Sequence, residues 1–461
     1  MTEIEALFCQ AGIPYSTPTS ADFDALLSNF SGNHLDGKPS LITTPETEQH
    51  VAAIVSACVA NRVEFVVRGG GHDAFGRSTV ANGVTIDLRK LSSVAVSQDR
   101  QTARIGGGAT SVQVLTALAP QGLQAPVGTC GMVGYAGWCL VAGFGPYMHS
   151  YGIGTDQIVG ARVVTADGTV VDADADMLKG LRGGGSNLGV VVELTVKVYP
   201  FENIQAGMLM FESSDIEKTL TTFLPKYAEL FVQGSTLPRK FYTMPVVITP
   251  PGMSTTLCCF VVYNGPASDE SQALTERIAS LAPLMPGTPP PDVAVATTSA
   301  LEFARRLMDM FPKQLQGRSQ TASVTHFSPD VVGCLARGMG KKPSTSNGGI
   351  IVQQMRSDCP SCGPDVPESV CPYRKPHITF EILGTGPDDE AAEAAMAWAL
   401  ETRNELMGLP DAVKSTYIAT TSPECLNVAD IFGDKLEELR RLKQRYDPKG
   451  VFKNTIPRLA D

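Results

Sequence analysis

Four glycine-rich stretches, each following a run of strand-forming residues, limit what this chain can fold into more than any other feature. They are "RGGGHDAFG" from Arg68, "IGGGAT" from Ile105, "GTCGMVGYAGWCLVAGFG" from Gly128 and "LRGGGSNLG" from Leu181. Successive glycines let backbone approach a ligand closely and present N–H groups as an anion-binding concavity. One such cluster is accounted for by a tight turn. Four in one region point instead to a single extended, phosphate-bearing ligand. The sequence has no GxxxxGK[ST], which excludes a P-loop, and no GxGxxG opening a helix after a first strand, which disfavours a Rossmann site.

Between 41 and 200 short β-rich runs alternate with helix-like stretches. "LITTPETEQHVAAIVSACVANRVEFVV" reads as strand, helix, strand, with Thr44 or Glu46 opening the helix. "TADGTV" signals a hairpin around Asp167 and Gly168. From about 206 strands such as "GMLMF", "TTLCCFVVY", "GGIIVQQM" and "HITFEIL" alternate with amphipathic helices near 216–233, 268–282 and 390–407. This pattern predicts an α+β chain whose second part is an antiparallel sheet covered by helices. The expected division is 1–205, 206–415 and a C-terminal segment, 416–461, returning to the first part.

The net charge of −10 argues against nucleic acid and anionic membrane surfaces as partners. No apolar run reaches the length of a membrane-spanning helix. The start carries early acidic residues and no long apolar core of a secretory signal, so a cytoplasmic location is expected. Eleven cysteines show no disulfide framework. Cys359, Cys362 and Cys371 share a Pro/Gly-rich loop without a fourth ligand at zinc-site spacing, so no metal is expected.

His72 and Cys130 are the reactive side chains of the glycine loops, each framed by glycines. Alone, a loop histidine is a hydrogen-bonded turn residue and a cysteine a small buried hydrophobe. Together they are two nucleophiles able to bond an electrophilic cofactor. "RGGGHDAFGRS" followed by "GTCGMVGYAGWCLVAGFG" resembles the berberine bridge enzyme-like family of FAD-linked oxidases, within the vanillyl-alcohol oxidase (PCMH-type FAD-binding) superfamily. "YGIGTDQIVGARVVTADG", "LRGGGSNLGVVVELTVKVYP" and "YDPKGVF" match later family segments in order, covering about 40–200 and 434–454.

The resemblance implies a two-domain PCMH-type fold, with 1–205 binding FAD and 206–415 binding substrate. It implies covalent bonds from His72 to the flavin 8α-methyl and from Cys130 to C6. Around these anchors it assigns Arg68, Gly69, Gly70, Gly71, Asp73 and Gly76 to the cofactor. The second loop adds Val133, Gly134, Gly137, Trp138 and Gly143. Asp156 and, after the last glycine loop, Gly189, Val190 and Val191 match positions lining the ADP half. Val133 resembles the position where valine accompanies oxygen access.

By the same resemblance, substrate lies over the flavin and against the second sheet, and a base takes its proton as hydride leaves for flavin N5. Dioxygen then reoxidises the flavin, giving hydrogen peroxide. "CPYRKPHITFEILG" resembles the family's strand headed by "FPHR", where some members carry a glutamate that, with one inserted residue, becomes Glu381 here. Alternation puts His377, Thr379 and Glu381 on one face, so the base could be Glu381 or His377. Gln353 or Gln354 would contact substrate from the neighbouring strand, and His326 and Tyr242 are further polar candidates. Three departures fall in or near the site. Thr420 stands where many members carry tyrosine, leaving Tyr417. Trp138 replaces a usual histidine, and "MLKGLRGGG" lacks the usual L-x-W-A.

The function expected is oxidation or oxidative cyclisation of a small specialised metabolite. The alternatives are a carbohydrate oxidase and a flavin-bearing cyclase or isomerase without net redox. The lack of a secretion signal and the presence of only two tryptophans count against the carbohydrate reading. Oxygen turnover with peroxide release separates the first two from the third.

Overall fold

The structure is a computed structural model that describes residues 2–32, 37–231, 237–249, 252–310 and 314–459. The first sheet is formed by β1 (Tyr15–Ser16), β2 (Leu41–Thr43), β3 (Phe65–Arg68) and β4 (Val84–Asp87), in the order β1-β2-β4-β3. β2, β4 and β3 run parallel, which requires the crossover helix Glu48–Ala60 between β2 and β3. That helix begins later than Thr44 or Glu46 would place it. Thr47 is its cap, and its hydroxyl accepts the His50 N–H at 3.1 Å.

The chain continues through β5 (Val94–Val96), β6 (Thr102–Gly106), the short β7 (Leu123–Gln124), β8 (Ile158–Val164), β9 (Val170–Asp172), β10 (Val190–Lys197) and β11 (Tyr199–Pro200). The second sheet has the order β5-β6-β10-β8-β9, while β7 pairs with β11 alone. β8 and β9 form a hairpin over Thr165–Thr169, with Gly168 at φ +78° taking the left-handed turn position.

The third sheet comprises β12 (Ile204–Met210), β13 (Phe241–Ile248), β14 (Thr256–Tyr263), β15 (Val295–Thr298), β16 (Gly317–Val324), β17 (Gly349–Met355) and β18 (His377–Thr385). Its order is β15-β12-β14-β13-β17-β18-β16, antiparallel at every pairing. Alternation gives it two faces. Val247, Leu257, Ile350, Val352, Phe380 and Ile382 pack under the helices Ile216–Glu229, Pro329–Gly340 and Asp389–Met407. The other face looks toward the glycine loops. After the third sheet, Asn187 donates to the Pro457 carbonyl at 3.0 Å and Lys443 to the Asn187 carbonyl at 2.8 Å. These bonds fasten the C-terminal segment to the last glycine loop.

Candidate active site

β3 ends at Arg68, and the glycines that follow bring His72 toward Cys130. A Cβ on Gly70 would lie 2.5 Å from Gly134 Cα, and one on Gly134 would lie 2.5 Å from Gly70 N. Real Cβ atoms do not tolerate such distances, so both loops need glycine there to meet at all. The contact places His72 Nε2 3.6 Å from Cys130 Sγ. The imidazole also stacks on Phe30, with ring centroids 3.8 Å apart and an interplanar angle of 13°. Burial pulls the His72 pKa down to about 4, so the ring is neutral near pH 7 and keeps a lone pair. Burial raises the Cys130 thiol, while the N–H groups of Met132 and Val133 favour its thiolate.

These residues line a cavity of about 1250 Å³ whose remaining wall is the open face of the third sheet. Pockets for a single small ligand are commonly roughly 300–1,000 Å³, so this space suits a long cofactor and a substrate together. Gly69, Gly70, Gly71, Val133, Gly134, Gly137, Trp138 and Val191 all line it. Beyond its chain neighbours and its own helix backbone, a Cβ at Gly137 would meet no described residue within 4 Å, so the helix Tyr135–Val141 presents bare backbone against which a flat group can lie. Arg77 is the one Lys or Arg among the described lining residues, and it is already paired with Asp73. A pyrophosphate bound here would meet no unpaired Lys or Arg among the described lining residues, leaving backbone N–H groups and neutral side chains as its donors.

Asp73 reaches the cavity and organises its edge. Its carboxylate accepts the N–H groups of Phe75 and Arg77 at 3.1 and 2.6 Å. It also holds the Arg77 guanidinium at 2.7 Å. Arg77 in turn donates to the Ile418 and Ala419 carbonyls at 3.3 and 2.9 Å. The loop bearing His72 thus grips the segment that carries Tyr417 and Thr420. From the other side Thr321 donates to the Thr420 carbonyl at 2.8 Å.

Glu381 lies on β18, paired with Ile351 of β17 and Thr321 of β16. It lines the cavity, and no ion pair reaches it among the described residues. Burial alone raises its pKa to about 7. Tyr417 also lines the cavity, but burial pushes its phenol above the ordinary value, despite the nearby N–H groups of Gly143 and Phe144. Near pH 7 Tyr417 is therefore a neutral phenol, whereas the Glu381 carboxyl titrates close to that pH. Gln353 and Thr420 complete the polar corner.

Other residues singled out in the sequence sit outside this lining. His377 shares the face of Glu381 but lies four residues along the strand, roughly 13 Å away at ~3.3 Å per residue. There it contacts Phe144 and Tyr373, and its Nδ1 is 2.8 Å from the Lys375 carbonyl. Gln354 alternates onto the helix-covered face with Ile350 and Val352. Arg68 turns into the interior, 3.3 Å from Asp87, each with its side chain only 1% exposed. Asp156 pairs with Arg374 at 2.6 Å and accepts from Ser361 at 2.5 Å. Gly76 and Gly143 shape turns at φ +70° and +85°. Gly189 packs against Val163, and Val190 belongs to the core of the first sheet. Tyr242 is buried near His149, and His326 is exposed beside Asp411. Phe30 and Arg77 are the residues the sequence did not reveal. Nothing local marks Phe30, and the Asp73–Arg77 spacing was the available signal for Arg77.

The family model described as "FAD binding domain" matches residues 39–174, and "Berberine and berberine like" matches 426–456. Over 427 residues the chain is 30% identical to FAD-linked oxidoreductase aurO of Gibberella zeae, covering 91% of this chain and 80% of that one. The chain belongs to the berberine bridge enzyme-like FAD-linked oxidoreductases. As such it is an FAD-dependent enzyme. Among solved structures, Physcomitrella patens BBE-like 1 superposes with a TM-score of 0.83 at 18% identity, covering 99% of this chain and 100% of that one. The glucooligosaccharide oxidase of Acremonium strictum, described with a 6-S-cysteinyl, 8α-N1-histidyl FAD, superposes with a TM-score of 0.80 at 18% identity, covering 99% and 100%. Both share the PCMH-type fold. Among the described residues no helix is long and apolar enough to cross a membrane, and no group of three or more His, Cys, Asp or Glu could hold a metal ion.

Proposed function

We propose that this berberine bridge enzyme-like chain is an oxidase of a small molecule, with FAD bonded to both His72 and Cys130. The observation that carries the reading is the 3.6 Å approach of His72 Nε2 to Cys130 Sγ in the cavity whose sheet wall bears Glu381. A solved relative described with both linkages shares the fold. The domain reading follows the same division: 1–205 holds FAD, 206–415 supplies the substrate sheet, and 416–461 returns Tyr417, Thr420 and the last strap to the cofactor.

When bound, FAD supplies a hydride acceptor that dioxygen reoxidises with release of hydrogen peroxide. The protein's residues do the rest. The glycine loops give the cofactor close backbone contact, and Phe30 fixes the plane of the His72 ring. Glu381 accepts the substrate proton, and burial tunes it close to the operating pH. Tyr417, Gln353 and Thr420 orient the substrate. Val133 stands beside Cys130 on the cavity wall, small enough to leave dioxygen a path.

The test is intact-protein mass spectrometry with a visible spectrum before and after acid precipitation. Flavin mass should stay with the wild-type chain and with either His72→Ala or Cys130→Ala, and be lost from the double variant. Release from one single variant would withdraw the other residue as an anchor.

A further inference from the structure

The cavity face of the third sheet is sorted by polarity. On β12, β14 and β13 the side chains lining the cavity include Met208, Met210, Cys258, Phe260, Met244 and Val246. On β17 and β18 polar groups join the lining, with Gln353, Glu381 and Thr385 set among Ile351 and Leu383, and Thr321 of β16 continues this edge by holding Thr420. β14, β13 and β17 separate β12 from β18, so the gradient spans roughly 19 Å at ~4.8 Å per strand. One end offers proton-accepting groups, and the other offers sulfur and hydrocarbon.

Charge narrows the ligand further. Among the described lining residues Arg77 is the one cation, and its guanidinium is neutralised by Asp73, so none of them offers a free cation to a carboxylate, sulfate or phosphate on the substrate. An oligosaccharide carries hydroxyls along its whole length, and those lying over Met208, Phe260 and Met244 would be buried without partners. Unbranched methionines, by contrast, adapt their shape to a bulky apolar body.

We infer that the substrate is an uncharged, largely apolar alcohol, its carbinol head at Glu381 and Gln353 and its body across Met244, Phe260 and Met208. The inference rests on the oxidase reading of this cavity. The alcohol loses its O–H proton to the Glu381 carboxylate and its carbinol hydrogen, with the bonding pair, to FAD. A C=O bond forms, and dioxygen takes up the two electrons and two protons as hydrogen peroxide. An amine fits the head position less well. A buried carboxylate would pair with its ammonium form and hold the nitrogen protonated, which opposes hydride loss from the adjacent carbon.

The probes are naphthalen-2-ylmethanol, naphthalen-2-ylmethanamine and cellobiose. Binding is measured by calorimetry on the Glu381→Gln protein, and peroxide release on the wild-type holoenzyme. The alcohol should bind at least about tenfold more tightly than cellobiose, and be turned over faster than the amine. Met208→Gln with Met244→Gln should weaken the alcohol by about tenfold or more, by setting unpaired amides against its apolar body. The same pair changed to leucine should keep it. Equal or tighter binding of cellobiose, faster turnover of the amine, or an unchanged alcohol affinity in the folded glutamine pair would each overturn the inference. A chain that purifies without flavin defeats the oxidase reading alone, because the calorimetric preference is read without turnover.

Discussion

Gly70 and Gly134 come from different glycine loops, and a Cβ on either would stand 2.5 Å from the other's backbone. The close approach of His72 to Cys130 depends on this contact. Gly70→Ala must force the loops apart, at a cost of about 1–3 kcal/mol or more. Chemical denaturation should show that loss, and the variant should carry less flavin.

Gly137→Ala separates the protein's needs from those of the cofactor. Nothing beyond its chain neighbours and its own helix backbone lies within 4 Å of the added Cβ among the described residues, and alanine favours the helix by roughly 0.5–1 kcal/mol. The folded chain should be as stable as wild type or slightly more so. If a flavin lies against this helix, flavin occupancy, read from the visible spectrum per mole of chain, should fall. Unchanged occupancy would place the ring elsewhere.

Arg77 joins the loop bearing His72 to the segment bearing Tyr417. Its side chain is 8% exposed and that of Asp73 11%, so the pair is close to fully buried. Arg77→Met leaves the Asp73 carboxylate with backbone donors alone and removes the donors to Ile418 and Ala419. Breaking a buried pair on one side costs about 3–5 kcal/mol. Denaturation should show a loss of that order. Arg77→Lys should lose less, and Asp73→Asn combined with Arg77→Met should recover part of it.

The sequence made the glycine loops legible because close backbone approach admits one residue type, and the order of motifs carried the family. Glu381 came from the resemblance of its strand to the family's, and strand alternation put it on one face with His377 and Thr379. That rule also separates Gln353 from its neighbour Gln354, but only after the register with β18 is fixed. His377 has the right face and the wrong height on the strand, which alternation does not report. Arg68 and Asp156 were drawn to the cofactor by their loops, whereas their charges are met by Asp87 and Arg374, partners distant in sequence. Phe30 reaches His72 through tertiary folding alone.

Glu381 should govern the pH dependence of both rate and stability. As a base it works ionised, and burial places its pKa near 7. kcat/KM should therefore rise with pH through about 7 and level off above it. Glu381→Gln should lose that limb and about 10²–10⁴ of the rate. Stability moves the opposite way. The carboxyl's ordinary value is 4.5, so between 4.5 and about 7 the folded chain keeps a proton that the unfolded chain has released. This contribution to stability is largest below 4.5 and declines as pH rises through that window. Denaturation midpoints at pH 5 and pH 8 should show a smaller drop for Glu381→Gln than for wild type. An equal drop, with an unaltered rate profile, would move the base to another residue.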